Sequence, residues 1–442
     1  MLTALHGKIR ALKRHKGFRR YAANTSWMMA EKILRIFAGL LVGVWVARYL
    51  GPEQFGVFSY VLAFTAIFGG IAKLGLDGIL IRELVNQPEL RDTWLGTAFW
   101  LKVAGAFLVM AIMALVMPFT SNDASTNLYI FIIAAGLVFQ GFEVVEFYFQ
   151  SQVLGKLISI CKVFQLTLSS LIKVYLVLTE ADLLWFVVVA ASDVLGLALS
   201  YFVAFRLKTD TGFFRNFDWN IAKALLKDSW PLILSSLVVM IYMRIDQIMV
   251  KEMLGAHEVG IYSAAVRLSE AVYFVPVMIS ASLFPAILNA KAQSKALYEK
   301  RLSRLYFFLI WLAILFGVTF SVLGGQLVEF LYGPDYKEAS QVLEIHIWAC
   351  IFVFAGAASG KWYLSENLQK YRFINQLLGA VMNIILNYYL IESYGLLGAA
   401  LSTIISYAFA AYLFDLFWVE TRPNFYRLNK SIFGGALVEK ND

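Results

Sequence analysis

Long apolar runs, separated by short polar or turn-forming connections, dominate this chain. A bilayer core is crossed by about 20 mostly apolar helical residues. Runs of that length predict twelve spans, at about 26–48, 54–76, 94–117, 127–149, 153–178, 183–205, 229–251, 261–285, 304–324, 341–364, 372–392 and 396–419. Turn residues fall in the gaps, as at Gly51-Pro52, at Pro118 with Ser121-Asn122-Asp123, and at Gly333-Pro334-Asp335. The stretch 78–92 is too short and too charged to cross, and it predicts an amphipathic segment at the membrane interface.

Composition turns this pattern into a class. Of 442 residues, 60% are hydrophobic and only 15% are charged, whereas a soluble domain carries about a quarter charged residues. The expectation is an all-α polytopic membrane protein. The formal net charge of +8 then becomes a question of which side of the bilayer the cations occupy. Assigned to alternate sides, they separate sharply. One side holds the N-terminal cluster from Lys8 to Arg20, together with Arg82, Arg91, Lys156, Arg206, Lys223, Lys291, Arg301, Lys370, Arg422, Lys440 and their neighbours. The other holds only Arg48, Lys251 and Lys337. Both termini are therefore expected in the cytoplasm, with an even number of spans. The basic, then apolar, start is too long and lacks a small-residue cleavage site, so it is expected to be a retained first helix.

Most soluble chemistries are excluded. The two cysteines, Cys161 and Cys350, lie in apolar stretches away from metal-ligand spacing. No phosphate loop, nucleophile elbow or H-E-x-x-H pattern occurs. We therefore expect no catalytic residue, no metal, no cofactor and no nucleic-acid partner.

An internal repeat organises the rest. Leu50-Gly51-Pro52-Glu53-Gln54-Phe55-Gly56-Val57-Phe58-Ser59 shares an L-G-x-x-x-x-G-[VI]-[FY]-S pattern with Leu254-Gly255-Ala256-His257-Glu258-Val259-Gly260-Ile261-Tyr262-Ser263. Ser26-Trp27 and Ser229-Trp230 match at nearly the same offset. Duplication predicts two six-helix bundles that enter the membrane the same way, related by a pseudo-twofold axis along the membrane normal. The expected order is a cytoplasmic basic tail (1–25), an N-lobe (26–206), a cytoplasmic linker (207–228), a C-lobe (229–419) and a cytoplasmic C-tail (420–442).

Charges within the spans are the candidate functional groups, because each costs roughly 2.5–3.5 kcal/mol at a helix centre on insertion scales. Glu31 and Arg35 share a face at four-residue spacing, with Lys32 beside them. Ser263, Arg267 and Glu270 line one face of the eighth span. Gln140, Glu143, Glu146 and Gln150 form a stripe on the fourth, and Gln376, Gly379, Asn383 and Asn387 form one on the eleventh. Each could equally be an interhelical tie that merely holds helices together. Lys162, Lys173 and Lys361 lie near span ends, where snorkelling is expected. If Arg35, Lys32, Lys102, Arg244 and Arg267 face a common cleft, it is cationic and suits phosphate, which arginine binds with two parallel hydrogen bonds. Glu31, Glu143, Asp193, Asp246 and Glu270 are candidates for charge pairing or for carrying a coupling ion.

The stretch Arg244-Ile245-Asp246-Gln247-Ile248-Met249, then Gly260-Ile261-Tyr262-Ser263-Ala264-Ala265, Arg267-Leu268-Ser269-Glu270, Phe274-Val275-Pro276 and Phe284-Pro285, resembles the seventh-to-eighth helix region of polysaccharide-repeat-unit flippases. These are the O-antigen (Wzx-type) transporters of the superfamily that also holds multidrug and toxin extruders and the lipid II flippase. Ala47 to Gly56 resembles the first hairpin of that family, and Tyr332-Gly333-Pro334-Asp335-Tyr336 its loop before the tenth helix. The resemblance implies movement of an undecaprenyl-pyrophosphate-linked oligosaccharide from the cytoplasmic to the outer leaflet of the bacterial inner membrane. Two bundles would work by alternating access, with the lipid tail left among the membrane lipids and proton or sodium as coupling ion. It also implies working beside a polysaccharide polymerase and chain-length proteins. By helix, Arg35 would correspond to a pyrophosphate-contacting arginine of related flippases. The chain has no room for the two extra helices of the lipid II branch. A multidrug/cation antiporter of the same superfamily is the alternative. A membrane-embedded polymerase or transferase is a further one, disfavoured by the short outer connections.

Overall fold

The computed structural model describes residues 16–210 and 212–432, with side chains from residue 24 onward. Most of the expected N-terminal basic cluster, and Lys440, lie outside the described residues or side chains. All regular structure among the described residues is helical. In chain order the helices are α1 (Lys16–Ala72), α2 (Asp77–Asn86), α3 (Arg91–Val116), α4 (Ala124–Gly136), α5 (Glu143–Ser151), α6 (Gly155–Leu178) and α7 (Leu183–Arg206). They continue with α8 (Trp219–Leu254), α9 (Ala256–Glu270), α10 (Phe274–Gln293), α11 (Lys295–Tyr332), α12 (Ala339–His346), α13 (Ala349–Ser365), α14 (Gln369–Ala411) and α15 (Arg422–Ile432).

Ten helical runs among the described residues are long and apolar enough to cross a membrane, against twelve expected. The difference arises in two runs, 24–86 and 369–416, each of which contains two expected spans. Each run carries one glycine outside helical geometry: Gly51 (φ 70°, ψ 170°) in α1 and Gly395 (φ 57°, ψ −135°) in α14. A side chain disfavours positive φ by roughly 1–2 kcal/mol. Glycine therefore lets the chain break direction at one residue, where the sequence suggested a loop.

The chain forms two compact units. The first comprises the described residues up to Val46 together with Thr65–Leu237, and the second comprises Ala47–Phe64 and the residues from Val238 onward. In the first unit the 207–218 segment packs back onto α3. Phe213 is fully buried, edge-on to Phe99 at 5.8 Å and to Phe205 at 5.2 Å. Gly96 makes this approach possible, since an added Cβ would lie 2.0 Å from the Asn216 carbonyl oxygen and 2.2 Å from that of Phe213. The Thr97 hydroxyl accepts the Asp218 amide at 3.0 Å, and the Trp100 indole donates to the Phe214 carbonyl at 2.8 Å. The amphipathic segment forms as α2, but it turns Leu80 and Leu84 into the protein core beside Trp94 and Phe149.

In the second unit the two copies of the repeat meet. Gly255, like Gly51, has positive φ and extended ψ. Beyond these breaks the helices touch reciprocally, backbone to backbone. A Cβ on Gly56 would lie 1.8 Å from the Ala256 carbonyl oxygen, and a Cβ on Gly260 would lie 1.9 Å from that of Pro52. Tyr336 ties the same hairpin down by donating to the Ala47 carbonyl at 2.6 Å.

Two stability outcomes follow. Gly56→Ala and Gly260→Ala each lower the thermal unfolding midpoint, by an amount equivalent to about 1–3 kcal/mol of overpacking, while Gly39→Ala, which meets open space, does not. Asp123 caps α4 by accepting the Thr126 amide at 3.0 Å, and hydrogen bonds from Ser125 and Thr126 hold its carboxyl down to about 2. A depressed carboxylate stabilises the fold above its ordinary pKa and loses that contribution as pH falls toward the folded value. Asp123→Ala therefore costs about 1 kcal/mol at pH 7, and the deficit relative to wild type shrinks between about pH 4 and pH 2 in pH-resolved unfolding.

Candidate functional site

In the first unit nearly every charge within a span is matched by a partner on the same or a neighbouring helix. Glu31 accepts from Arg35 Nε at 2.7 Å, as their spacing predicts, and Glu31 is buried. Lys102 is fully buried; its ammonium lies 2.9 Å from Glu143 and donates to the Lys73 carbonyl at 3.4 Å. Glu146 receives Lys162 at 2.6 Å and the Tyr201 hydroxyl at 2.6 Å. Asp193 receives Lys173 at 2.9 Å and the Gln165 amide at 2.8 Å. Lys162 and Lys173, expected to snorkel, turn instead to acids on adjacent helices. Lys32 is exposed, with no ion pair among the described residues.

The second unit gathers a denser cluster from three elements. α8 supplies Arg244 and Asp246, α9 supplies Tyr262, Arg267 and Glu270, and the two arms of α14 supply Asn383, Asn387 and Thr403. Asp246 is buried and accepts from the Asn387 amide at 2.6 Å, the Tyr262 hydroxyl at 3.1 Å and the Thr403 hydroxyl. The Asn387 amide also reaches Asn383 Oδ1 at 3.2 Å. Asn387 Oδ1 and the Asn383 amide nitrogen are buried without a hydrogen bond. A buried carboxylate held by an amide and two hydroxyl donors, with further amide groups unbonded nearby, can take up a proton or a small hard cation.

Glu270 shares the Arg267 face in sequence but pairs across helices with Arg244, at 3.3 Å. Arg267 makes no ion pair among the described residues; its guanidinium lies over the Phe55 ring, 4.7 Å from the centroid. Gln376 stands apart from the Asp246 cluster, on the wall of a cavity of about 230 Å³ with Arg372, Tyr363 and Tyr407. Sequence reasoning missed Thr403 and Tyr262 as partners of Asp246, and His346, whose ring meets the Ser269 hydroxyl at 2.7 Å. Only the α14 break at Gly395, which brings Thr403 back beside Asn387, could have signalled the first.

A family model described as polysaccharide biosynthesis protein matches residues 21–291. The chain belongs to that family. A second model, MatE, matches residues 231–389. Among curated relatives, a Haloferax volcanii protein named "Probable flippase AglR" is 24% identical over 408 residues, covering 87% of this chain and 80% of the relative. A Shigella flexneri protein named for O-antigen transport is 25% identical over 416 residues, covering 85% and 92%. The fold is shared with an inward-facing multidrug resistance MATE transporter (TM-score 0.71, 17% identity, 91% and 98% of the two chains). It is also shared with the lipid II flippase MurJ (TM-score 0.67, 17% identity, 94% and 93%).

The Lys102–Glu143 pair provides a test of tie against site. Breaking a buried pair by removing one partner costs about 3–5 kcal/mol, whereas replacing both by apolar groups is often neutral. Lys102→Met alone is expected to lower the unfolding midpoint steeply, and Lys102→Met with Glu143→Leu to recover it. Recovery of stability together with transport identifies a tie; recovery of stability alone identifies a functional pair.

Proposed function

We propose that this protein is a flippase for lipid-linked oligosaccharide, moving an undecaprenyl-pyrophosphate-linked polysaccharide repeat unit from the cytoplasmic to the outer leaflet of a bacterial inner membrane. The observation that carries the reading is the sequence match along most of the chain to the polysaccharide biosynthesis family and to relatives named for flipping and O-antigen transport. The absence of catalytic motifs, and the burial of charge within apolar helices, fit a transporter rather than an enzyme.

In this proposal the chain has twelve spans in two six-helix bundles, with the breaks at Gly51 and Gly395 each separating two of them. Both termini lie in the cytoplasm, a reading supported by the distribution of loop cations. The reciprocal contact of Gly56 and Gly260 supports the repeat from which the bundle symmetry is drawn. Alternating access carries the headgroup while the lipid tail stays in the bilayer. In the second unit, Arg267 meets the anionic headgroup directly, and Arg244 reaches it by exchanging its carboxylate. Lys102, enclosed with Glu143, acts as a tie within its unit. The Asp246 cluster is the seat of the coupling proton or sodium ion. Surface polysaccharide polymerase and chain-length proteins are its expected neighbours.

The MatE match over 231–389 favours one alternative, a multidrug/cation antiporter. A bulky cationic drug calls for an acid open to a large cavity, whereas Glu270 is matched by Arg244 and Asp246 is buried among its hydrogen-bond partners.

Reconstituted in proteoliposomes, the protein should carry a fluorescent undecaprenyl-pyrophosphate oligosaccharide across the bilayer, and Asp246→Asn should abolish its response to an imposed ion gradient. Arg267→Ala should lower the rate about tenfold or more, as loss of a charge-assisted hydrogen bond predicts, with Arg267→Lys recovering part of it. Drug efflux without oligosaccharide movement would replace this reading with the antiporter.

A further inference from the structure

We propose a second anion-binding site, built for a phosphate or diphosphate group, inside the second unit and formed by Lys361 and Arg372. It lies in a cavity of about 230 Å³ lined by Ser280 of α10, Gly360, Lys361 and Tyr363 of α13, and Gln369 and Arg372 of α14. Arg372 also lines the cavity that holds Gln376 and Tyr407, so it borders both spaces.

Charge accounting singles this place out. Lys361 and Arg372 line the same cavity, with the Arg372 guanidinium against Gly360, the chain neighbour of Lys361, and neither forms an ion pair or hydrogen bond among the described residues. The acids that could neutralise them are committed elsewhere. Glu366 binds Lys291 at 3.0 Å and accepts the Tyr298 hydroxyl at 2.8 Å. Asp415 accepts from the Tyr363 hydroxyl, from the Asn375 amide at 3.0 Å and from the Asn424 amide at 2.7 Å. Lys361 is half-buried and Arg372 is exposed, so two unpaired cations lining one cavity form an accessible, positively charged recess that attracts an anion.

Two further observations indicate a shaped site. The Arg372 guanidinium occupies the notch left by Gly360, where an added Cβ would lie 2.2 Å from Nη1. The Ser280 hydroxyl, on the same wall, is fully buried without a hydrogen bond. The Lys361 ammonium lies 5.3 Å from the Phe284 ring centroid, which orients it without neutralising it. A planar fork, a compact ammonium, a spare hydroxyl donor and the Gln369 amide suit a tetrahedral oxyanion with several acceptor oxygens. The phosphate group can belong to a lipid carrier or arrive free. The site stands whether or not the chain flips oligosaccharide.

The test uses the full chain in lipid nanodiscs with two probes, inorganic diphosphate and farnesyl diphosphate, and reads affinity by calorimetric titration. The wild type binds at least one of them. Binding of both assigns recognition to the diphosphate alone, and binding of the lipid form only assigns it to a carrier headgroup. Arg372→Gln and Lys361→Gln each weaken binding about tenfold or more, as expected for losing a charged donor. Arg372→Lys retains part of the affinity, and Gly360→Val, which displaces the guanidinium while keeping both charges, weakens it as well. Unliganded unfolding midpoints are measured for every variant, and those of Lys361→Gln and Gly360→Val, on a different helix from Arg372, keep the test open if Arg372→Gln does not fold. No binding of either probe by the wild type, or unchanged affinity in folded Lys361→Gln and Gly360→Val, overturns the site. Oligosaccharide translocation is measured separately on the wild type, so its failure bears on the flippase and not on this site.

Discussion

A charge inside an apolar slab must find its partner within the protein, because no water stands ready to solvate it. Much of the architecture follows from that constraint. In the first unit it draws α3 to the α5 acid through Lys102 and Glu143, α6 to α5 through Lys162 and Glu146, and α6 to α7 through Lys173 and Asp193. In the second it joins α8 to α9 through Arg244 and Glu270, and α8 to both arms of α14 through Asp246. These ties are directional, unlike the apolar contacts around them, and so they fix which helices are neighbours.

Much of this was legible from residues alone, and the limit is instructive. Apolar runs locate the helices because each must be apolar over its length, and Gly51 and Gly255 reveal the repeat because only glycine tolerates their backbone. Glu31 and Arg35 are legible as a pair because one helical turn separates them. Pairing across helices is not encoded locally. Glu270 lies one turn from Arg267 yet binds Arg244, and nothing in the sequence places Thr403 beside Asp246. The 207–218 segment, part of the expected 207–228 linker, illustrates the same limit: nothing in its sequence announces that Phe213 and Phe214 pack it onto α3.

The likeness to a multidrug transporter and to a lipid II flippase at 17% identity means that this scaffold tolerates almost complete replacement of its side chains. What distinguishes one member from another must then reside in the few polar groups its helices enclose. Here they divide into two kinds: pairs that close upon themselves, and groups such as Arg267 and Arg372 that remain open to something further.

The final helix has a consequence for biogenesis. α15 turns polar residues inward: Asn424 meets Asp415, Ser359 and Tyr306, and Arg427 grips Glu299 through two hydrogen bonds of 2.9 Å. Those partners belong to helices synthesised earlier, and during synthesis domains generally form as units from the N-terminus. The buried acid of the second unit is therefore incompletely bonded until α15 has been made and docked. A chain lacking residues 422–432 would leave Asp415, Tyr306 and Glu299 without these partners, so assembly of the second unit is completed from its C-terminal side.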